Sequence, residues 1–597
     1  MTPTGKSAPA NAASPKGATR AAALPEAERE KLDAAITDLR TGARAWVHLT
    51  LGQRARLLER LHATTAANAE EWAETAALAT GLGPGHPRRG EEWLPGPYAA
   101  LVAVQAYRES LEALARGGSP LDGVKLDAAP GGRLRAHAFP LHGEDSVLVA
   151  GHTGEVWFEP GVTATEARAS AGLAQLHPTR GGGVGLVLGA GNVTSIPVLD
   201  LLYELLACNR VVLLKINPTQ DAMMAVYERV LAPLIEPGFL RIVRGGGDVG
   251  AHLTGHDGID HVHITGATAT FDAIVWGTGA PAARRRREGR PQLNKPITAE
   301  LGGVSPIIVV PGTWTDADLR YQAEHIVTMR LYNSGHNCLA GQVVLVSSDW
   351  PQRDAFLAAL RSAFDDAPDR PIWYPHSDRK LDAAASSYPS ATRRRDTNRL
   401  LIEIATGEDA TALETTEYFA PVLGVVELRG NGQEFLDAAV VHANDRIAGT
   451  LGANILIDPA TLEAHGDGLE RAIAELRYGA VSVNSWTALA FLTPTLTWGG
   501  YPGATSEDAQ SGIGIVHNAL LLDRVERSVT RGPFRPFPRS LPQGLRSRSL
   551  SAGVVLPKPP WFVHSRTGAT VSEGFTRYRM DGNVVRLAGT FVQALRA

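Results

Sequence analysis

The feature that most constrains the fold of this chain is a regular alternation of short apolar runs with longer amphipathic segments. The first series contains four runs with the length and composition of buried strands: VGLVL (184–188), VVLLK (211–215), FLRIVRG (239–245) and DHVHITG (260–266). The second series contains five: SPIIVV (305–310), QVVLVS (342–347) and runs near 422–428, 452–457 and 480–484. Because helical segments separate these runs, the pattern predicts parallel sheets covered by helices on both faces. We therefore expect an α/β protein with two such units.

The regions outside the two series have other patterns. Residues 26 to about 117 place apolar side chains at helical spacings, whereas SVLVAGHTGEVWFEP (146–160) is predicted to form a β-hairpin that turns at His152, Thr153 and Gly154. The Ala-, Ser- and Pro-rich residues 1–24 are predicted to be a disordered tail, with a transit peptide as the alternative. The Pro- and Arg-rich stretch 531–550 is predicted to be an extended arm.

The composition argues against several functional classes. Charged residues make up 20% of the 597 residues, and the formal net charge is −4. The chain therefore has no net positive charge that would attract it to nucleic acid or to an anionic membrane. The longest apolar stretch is interrupted by Asp200, Glu204 and Arg210, which argues against a membrane helix. Two cysteines cannot form a disulfide framework. We therefore expect a protein of a reducing compartment, the cytoplasm, that binds neither nucleic acid nor membrane.

The two cysteines lie in different surroundings. Cys208, in YELLACNRVV, has the pattern of a small buried hydrophobic residue. Cys338, in NSGHNCLAGQ, follows a glycine-containing polar turn after a predicted helix, which suits an accessible thiol. A thiolate attacks carbonyl carbon readily and forms a thioester that water can open. This context favours Cys338 as a nucleophile, with a small buried side chain as the structural alternative. His336 is close in sequence, but adjacency does not make a catalytic Cys–His pair.

Several short motifs occur in a fixed order along the chain. The loop GAGN (189–192) lacks the third glycine of a dinucleotide-binding fingerprint, so by itself it indicates only a tight turn. Further motifs follow it: KINP at Lys215, Thr265-Gly266, ELGGVSP at Glu300, NSGHNC at Cys338, EYFAPV at Glu417, ANDRIAGTLGANI at Asn444 and GAVSVN at Asn484. In this order they resemble the aldehyde dehydrogenase superfamily over roughly residues 30 to 525, and ELGGVSP and EYFAPV are the most specific matches.

The resemblance implies three catalytic residues. Cys338 would attack the aldehyde carbon, and the side-chain amide of Asn192 would hold the oxyanion together with the Cys338 backbone N–H. Glu300 would be the general base that directs water onto the thioester. Asn192 can instead be a helix cap, and Glu300 can instead be a solvated strand edge. The CoA-acylating relatives commonly lack a carboxylate at the position of Glu300, so its presence favours water as the acyl acceptor.

The resemblance also implies a nicotinamide cofactor, either NAD or NADP. Lys215 matches the lysine that contacts the adenosine ribose, Glu417 matches the carboxylate that holds the nicotinamide ribose, and Phe419 matches an aromatic residue beside the nicotinamide. The full predicted set of cofactor-binding residues is Lys215, Gly266, Glu417, Phe419, Gly191 and Leu301. Individually they can also be a strand-end lysine, a surface acid, a core aromatic residue or turn glycines.

Three departures from the family pattern affect this prediction. The Pro-Trp pair that precedes the key asparagine in the family is Ala190-Gly191 here, and the serine that usually follows the turn glycine is Ala267. The acidic residue that often selects NAD is replaced by Pro218. Because a missing carboxylate removes repulsion against a 2′-phosphate, both nicotinamides remain open.

The resemblance divides the chain into a disordered tail, two α/β domains, a bridging element and a C-terminal region. The predicted boundaries are 1–25 for the tail, 26–144 and 163–298 for the Rossmann-like NAD(P)-binding domain, 145–162 for the bridging β-hairpin, 299–517 for the catalytic domain and 518–597 for the arm and extension. The hairpin and the C-terminal region are predicted to mediate assembly as a homodimer or homotetramer. No histidine or cysteine spacing indicates a metal site.

The predicted function is the NAD(P)-dependent oxidation of an aldehyde to a carboxylic acid. One alternative is a CoA-acylating aldehyde dehydrogenase or acyl-CoA reductase, and another is a catalytically silent subunit that binds nucleotide or serves assembly. The sequence does not name the aldehyde, and the apolar residues near 486–501 suggest only a hydrophobic one.

Overall fold

The computed structural model describes residues 24–393, 398–540 and 556–597, so nearly all of the predicted N-terminal tail and part of the predicted arm lie outside the described residues. The strands are, in chain order, β1 Leu126–Ala129, β2 Arg133–Phe139, β3 Thr153–Phe158, β4 Val184–Leu188, β5 Val211–Lys215, β6 Leu240–Val243, β7 His261–Gly266, β8 Ile297–Leu301, β9 Ser305–Val309, β10 Gly341–Ser347, β11 Thr392–Arg393, β12 Leu400–Ile404, β13 Val422–Leu428, β14 Gly452–Leu456, β15 Ala480–Val483, β16 Trp498–Gly499, β17 Gly512–Ile513, β18 Ile515–His517 and β19 Val525–Arg531.

Helices connect and cover these strands. The α-helices are Glu26–Trp46, Leu51–Ala79, Ala99–Ala115, Gly143–Leu148, Ala164–Ser170, Ile196–Leu206, Met224–Val230, Ala232–Ile235, Gly247–Gly255, Thr268–Val275, Gly279–Arg287, Asp316–Leu331, Arg353–Asp366, Ser377–Ser387, Thr411–Thr415, Gly432–Asp445, Pro459–His465, Gly468–Glu475, Ala488–Leu492, Gly568–Asp581 and Val584–Ala594. Short 3₁₀-helices span Arg89–Glu92, Leu173–Leu176, Pro218–Met223 and Tyr332–Gly335, and Leu94–Tyr98 forms a π-helical turn. Within the described ranges, no helix is both long and apolar enough to cross a membrane.

The first sheet contains six strands in the order β17-β8-β7-β4-β5-β6. All neighbouring pairs are parallel except β17 with β8. The chain runs outward from β4 through β5 to β6 and then crosses to β7 and β8 on the other side of β4. In an open parallel sheet, a ligand crevice forms beyond the carboxyl ends of the strands where the order reverses. That point lies between β4 and β7.

The second sheet contains eleven strands in the order β1-β2-β3-β19-β15-β14-β9-β10-β13-β12-β11. Its middle part, from β19 to β12, is parallel, and β1, β2 and β3 add an antiparallel meander at one side. The runs of the second predicted series form β9, β10, β13, β14 and β15. Two α/β units are therefore present, as predicted, and the expected fold class is confirmed.

The predicted β-hairpin across 145–162 is wrong. Residues 145–148 belong to the helix Gly143–Leu148, and only Thr153–Phe158 is a strand, which pairs with β2 and β19 rather than with its own neighbour. Glu144 and Asp145 occupy the first turn of the helix, where negative charge interacts favourably with the helix dipole. Leu148 is buried against side chains of the last segment of the chain, so a tertiary contact favours the helix.

Strand β19 lies within the stretch that the sequence analysis assigns to the C-terminal arm. It pairs with β15 on one side and with β3 on the other, and so joins the parallel part of the second sheet to the meander. Its charged residues are buried with partners: Arg133 donates to Glu526 at 2.9 Å, and Arg527 donates to the Leu476 carbonyl at 2.6 Å. The charged residues make this segment look exposed in the sequence, and these partners allow them to be buried in a strand.

The residues after β19 fold back onto the helix Asp316–Leu331. Asp318, whose side chain is fully buried, forms ion pairs with Arg535 at 2.8 Å and with Arg539. Burial alone raises the pKa of this carboxyl, but hydrogen bonds from Arg535 and Thr315 hold its pKa at about 2. Farther along the chain, Arg577 of the helix Gly568–Asp581 pairs with Glu70 at 3.0 Å, so the C-terminal segment (residues 556–597) docks on the N-terminal helices.

We expect Asp318→Asn to lower the free energy of unfolding by about 2 kcal/mol at neutral pH, because it leaves two arginines without their carboxylate. A carboxyl with a lowered folded-state pKa stabilises the fold above its unfolded pKa of about 3.9, and this contribution is lost as the pH falls toward 2. The stability difference between variant and parent, measured by thermal melting, should therefore shrink in acid. Asp316→Asn, at an exposed position in the same helical turn, is the control and should change little. An equal effect of both substitutions would contradict the ion-pair explanation.

Candidate active site

Cys338 lies in a turn that connects the helix Asp316–Leu331 to strand β10. Asn333 and Ser334 both have φ of +53°, a left-handed conformation that is strained for residues other than glycine. Tertiary hydrogen bonds hold this turn: the Asn333 backbone N–H donates to Glu91 at 2.9 Å, and Trp373 donates to the Asn333 side-chain oxygen at 2.9 Å. The turn is therefore fixed by contacts from distant parts of the chain, and it presents a partly exposed Cys338 to a cavity.

Three predicted catalytic residues meet at this cavity, which we call the catalytic cavity. It has a volume of about 490 Å³ and is lined by Cys338, Glu300 and Asn192 among others. Glu300 comes from strand β8, Asn192 from the loop after β4, and Cys338 from the second α/β unit. The Cys338 thiol and the Glu300 carboxyl lie close enough for each to shift the pKa of the other. A candidate nucleophile and a candidate base thus line the same cavity.

Burial governs the protonation of this pair. It raises the pKa of Glu300 to about 8, the charges of Asp200 and Glu417 act in the same direction, and the Cys338 thiol and His263 oppose them. Burial and the nearby Glu300 also raise the pKa of the Cys338 thiol well above its ordinary value. At neutral pH the resting pair is therefore a neutral thiol beside a largely protonated carboxyl, and a proton must leave before either group reacts.

Asn192 is held by the same turn that carries Cys338. Its side-chain Nδ2 donates to the His336 carbonyl at 2.9 Å, and its own carbonyl accepts from Asn333 Nδ2 at 3.0 Å. An amide nitrogen carries two hydrogens, so one can hold the amide in place while the other is directed elsewhere. This arrangement matches an oxyanion donor better than the alternative of a helix cap, because Asn192 precedes the helix Ile196–Leu206 by several residues.

A larger cavity adjoins the catalytic cavity at the carboxyl ends of β4 and β7. It has a volume of about 1560 Å³ and is lined by Lys215, Gly189 and Gly250 among others. Thr265, Gly266, Ala267 and Tyr374 line both cavities, so the two are continuous. This is the crevice expected where the strand order reverses.

Glu417 and Gly302 form the junction of the two α/β units at the catalytic cavity. A Cβ on Gly302 would collide with the carboxylate of Glu417, so only glycine allows this approach. Burial raises the pKa of Glu417 to about 7, while Lys380 and Arg330 lower it. Its Oε1 atom is buried and has no hydrogen-bond partner among the described residues. A buried carboxylate oxygen of this kind is available to accept a hydrogen bond from a ligand hydroxyl.

The remaining predicted cofactor residues divide into two groups. Phe419 and Gly191 line the catalytic cavity, and Phe419 has a left-handed φ of +49° and packs edge-on against Tyr374 at 4.9 Å between ring centres. The side chain of Leu301 instead lies in a hydrophobic cluster with Ile264 and Phe271. Leu301 does not line either cavity, so only its backbone atoms could contact a cofactor.

His336 does not act as a charged partner of Cys338. It is fully buried, and burial together with Arg370, Arg330 and Lys380 lowers its pKa well below the ordinary value. A neutral imidazole in this position cannot stabilise a thiolate by charge. The prediction that sequence adjacency does not make a Cys–His pair agrees with this geometry.

A third cavity adjoins the catalytic cavity at Cys338 and shares no lining residue with the large cavity. This apolar cavity has a volume of about 660 Å³ and shares Asn192 and Cys338 with the catalytic cavity. Its walls are mostly aliphatic and aromatic side chains, such as Ile196, Leu489 and Phe491. The Cys338 thiol therefore lies between a mostly apolar chamber and a large, more polar crevice.

Comparisons with known proteins agree with this architecture. The model of the "Aldehyde dehydrogenase family" matches residues 166–368, which carry β4 to β10 and include Asn192, Glu300 and Cys338. A mutant of aldehyde dehydrogenase C from Pseudomonas syringae, solved with NAD+ and octanal, has a TM-score of 0.57 at 19% identity, covering 85% of this chain and 90% of that one. An NAD-dependent aldehyde dehydrogenase from Sinorhizobium meliloti has a TM-score of 0.55 at 19% identity, covering 85% of this chain and 88% of that one.

A third structure, 3,6-anhydro-L-galactose dehydrogenase in complex with NAP, has a TM-score of 0.53 at 17% identity, covering 84% of this chain and 91% of that chain. These likenesses establish the shared fold, and the family model locates it in the sequence. Residues 166–368 thus match the aldehyde dehydrogenase family, and the chain shares its fold with the solved aldehyde dehydrogenases.

One departure from the aldehyde dehydrogenase pattern has a clear structural reason. A Cβ on Gly191 would lie 2.5 Å from Thr219 Oγ1 and 2.7 Å from Asn217 Cγ. The hydroxyl of Thr219 also donates to the Gly191 carbonyl at 2.7 Å. The loop after β4 therefore packs closely on the start of the next helical segment, and a tryptophan at Gly191 does not fit this packing.

The sequence analysis missed several residues that surround this site. Asp200 accepts hydrogen bonds from Thr265 at 2.9 Å and from His517 at 3.1 Å, and it lies 3.5 Å from His263. This buried cluster acts on the protonation of Glu300, yet the sequence shows Asp200 only as a charge inside an apolar helix. That anomaly was the available signal, because a charge on a buried helix needs partners. Tyr374 and Lys380, which line the catalytic cavity, gave no sequence signal.

We expect Glu300→Gln to lower the pKa of the Cys338 thiol, because the substitution removes the charge that opposes thiolate formation. Alkylation of Cys338 by iodoacetamide at about pH 9 should become roughly tenfold faster, the change expected for about one pKa unit. Cys208, whose pKa burial raises to about 12, provides the internal control and should react equally slowly in both proteins. Mass spectrometry of the two cysteine peptides measures both rates. An unchanged rate at Cys338 would show that Glu300 does not act on the thiol.

Proposed function

We propose that this protein catalyses the NAD(P)-dependent oxidation of an aldehyde to a carboxylic acid. The observation that carries the proposal is the meeting of Cys338, Glu300 and Asn192 at one cavity, between an apolar chamber and a large crevice. An aldehyde and a nicotinamide need separate approaches to a single nucleophile, and the two flanking cavities provide them. The match of residues 166–368 to the aldehyde dehydrogenase family and the structural neighbours solved with NAD+ or NAP support the same function.

The large crevice suits a dinucleotide. Lys215 and Gly250 line its outer part, and Gly266 lies where it meets the catalytic cavity. The unpartnered Oε1 of Glu417 would accept a hydrogen bond from a ribose hydroxyl near Cys338. The nicotinamide, when bound, supplies the acceptor for the hydride that the aldehyde carbon loses. Pro218 lines the crevice in place of a carboxylate, so the proposal includes both NAD and NADP.

In the first step, the sulfur of Cys338 attacks the carbonyl carbon of the aldehyde, and Glu300 accepts the thiol proton. The second N–H of the Asn192 amide and the backbone N–H of Cys338 stabilise the oxyanion that forms. Loss of hydride from this adduct leaves a thioester on Cys338. The proton on Glu300 must then leave before the carboxylate can act again.

In the second step, Glu300 takes a proton from a water molecule that attacks the thioester. Its Oε1 atom is buried without a partner among the described residues, which suits it to hold this water. The carboxylic acid leaves and the thiol of Cys338 is restored. The overall reaction consumes aldehyde, water and NAD(P)+ and yields the acid, NAD(P)H and one proton. Because Glu300 provides a base for water, hydrolysis is favoured over transfer to CoA.

We expect Cys338→Ala to abolish aldehyde-dependent reduction of the nicotinamide, while Cys208→Ala, the matched control at the other cysteine, leaves the rate close to that of the parent. Glu300→Gln should lower turnover by about a hundred- to ten-thousand-fold, since it removes the base of both steps. Reduction is followed by absorbance with a panel of aldehydes and both nicotinamides. The acylating alternative requires that added CoA raise turnover and that Glu300→Gln matter little. A silent subunit would bind the nicotinamide but show no Cys338-dependent reduction.

The pH dependence should report the raised pKa of Glu300. The ionised carboxylate is the active base, so kcat/KM is expected to rise with pH and to level off above a pKa of about 8. Below that value a tenfold loss per pH unit follows, because protonated Glu300 cannot accept the thiol proton. The Glu300→Gln variant should lack this dependence. A parent profile that is flat between about pH 6 and 9 would exclude Glu300 as the base.

A further inference from the structure

The C-terminal segment (residues 556–597) lies beyond the residues that resemble the family, yet one of its side chains reaches the active site. Trp561 lines the apolar cavity that also contains Cys338. The polar lining residues Asn192 and Asn337 neighbour Cys338, whereas Leu489, Phe491 and other apolar side chains form much of the rest of the wall. The cavity therefore has a reactive end and an apolar body to which the C-terminal segment contributes.

A second apolar chamber lies beyond Trp561, and we call it the outer cavity. It has a volume of about 730 Å³ and shares Leu489, Leu492 and Trp561 with the apolar cavity. These three side chains thus form the wall between the two chambers. The structure contains two apolar chambers in series that lead away from the thiol.

The outer cavity is apolar inside and has paired charges at its edge. Tyr98, Val102 and Phe575 contribute apolar surface. His142 bonds to Glu109 at 3.0 Å, and Arg579 forms ion pairs with Glu144 and Asp145. Because these charges already have partners, none of them demands a charged group on a ligand. The lining suits a hydrocarbon chain.

We propose that the substrate is a linear aliphatic aldehyde and that Trp561 sets its chain length. This inference rests on the proposed function, since it places the aldehyde carbon at Cys338. The alkyl chain fills the apolar cavity and ends against the indole of Trp561, and the outer cavity lies beyond that stop. A chain short enough to end at Trp561 occupies the first chamber alone, whereas a longer chain would need the outer cavity that Trp561 closes off.

The position of Trp561 is firmly fixed, as a length stop requires. The neighbouring Phe562 stacks on Tyr321 at 5.3 Å and on His325 at 5.1 Å between ring centres. The Val563 backbone N–H donates to Thr328 at 3.1 Å. Tyr321, His325 and Thr328 belong to the helix Asp316–Leu331, which leads into the Cys338 turn. The stop and the nucleophile are thus attached to the same helix.

The test measures kcat/KM for a series of straight-chain aldehydes from butanal to tetradecanal with the parent protein and with Trp561→Ala. For the parent, we expect about a four-fold rise per buried methylene until the chain reaches Trp561, and then a fall. Trp561→Ala joins the two chambers, so the optimum should move to longer chains while the shortest aldehydes keep their rates. Inhibition by the corresponding straight-chain carboxylates should follow the same pattern and provides a readout of binding alone.

Further variants keep the inference testable. Trp561→Phe retains an aromatic ring and should shift the optimum less than Trp561→Ala. If Trp561→Ala fails to fold, Leu489→Phe adds volume to the shared wall from the other side and should shorten the preferred chain. Val585→Ser, at an exposed position of the same C-terminal segment, is the control and should leave the length profile unchanged.

The outcomes separate this inference from the proposed function. If no aldehyde supports Cys338-dependent reduction, the proposed function fails and the inference fails with it. If short aldehydes are oxidised but the folded Trp561 variants keep the parent's length profile, the inference alone is overturned. Preference for a compact aromatic aldehyde that Trp561→Ala does not change would also overturn it.

Discussion

The shared burial of the Cys338 thiol and the Glu300 carboxyl at one cavity sets conditions that the surrounding structure has to meet. Burial favours the neutral form of both groups, and the charge of Glu300 further opposes ionisation of the Cys338 thiol. Asp200 adds to this effect, and His263 partly opposes it. The site therefore keeps the Cys338 thiol in its neutral, protonated form. Such a state suits a reactive thiol, because a permanently exposed thiolate is open to oxidation and alkylation.

Holding the thiol in this position requires a strained turn, and the strain is offset by contacts from remote parts of the chain. Glu91 accepts a hydrogen bond from the Asn333 backbone and also pairs with the buried Arg370. Arg88 donates to the Leu331 carbonyl at 2.8 Å, just before the turn. The N-terminal helical region thus fixes the geometry of a loop that lies more than two hundred residues away in sequence. Removing one member of such a network leaves buried polar groups unpaired, which is costly.

The C-terminal segment takes part in the same assembly. Its first residues stack on the helix Asp316–Leu331, and its helix Gly568–Asp581 packs on the N-terminal helices. Its side chains contribute to the cluster that contains Leu94, Tyr98 and Val102. A segment outside residues 166–368 therefore contributes Trp561 to the wall of the apolar cavity that contains Cys338. Cys338 and Trp561 line the same apolar cavity but come from different elements of the fold.

The sequence by itself determined the two α/β units, because apolar runs of strand length alternate with helices and that periodicity reports local burial. It also predicted Cys338, Glu300 and Asn192 as catalytic residues from short, local motifs, and the fold brings these three residues to one cavity. Only the tertiary structure decided the rest. Strand β19 carries buried charges that look exposed until Arg133 and the Leu476 carbonyl are seen beside them. The start of the expected hairpin is a helix instead, because Leu148 packs on the C-terminal segment. Asp200 and Trp561 join the site through contacts between residues far apart in the chain, which no local pattern encodes.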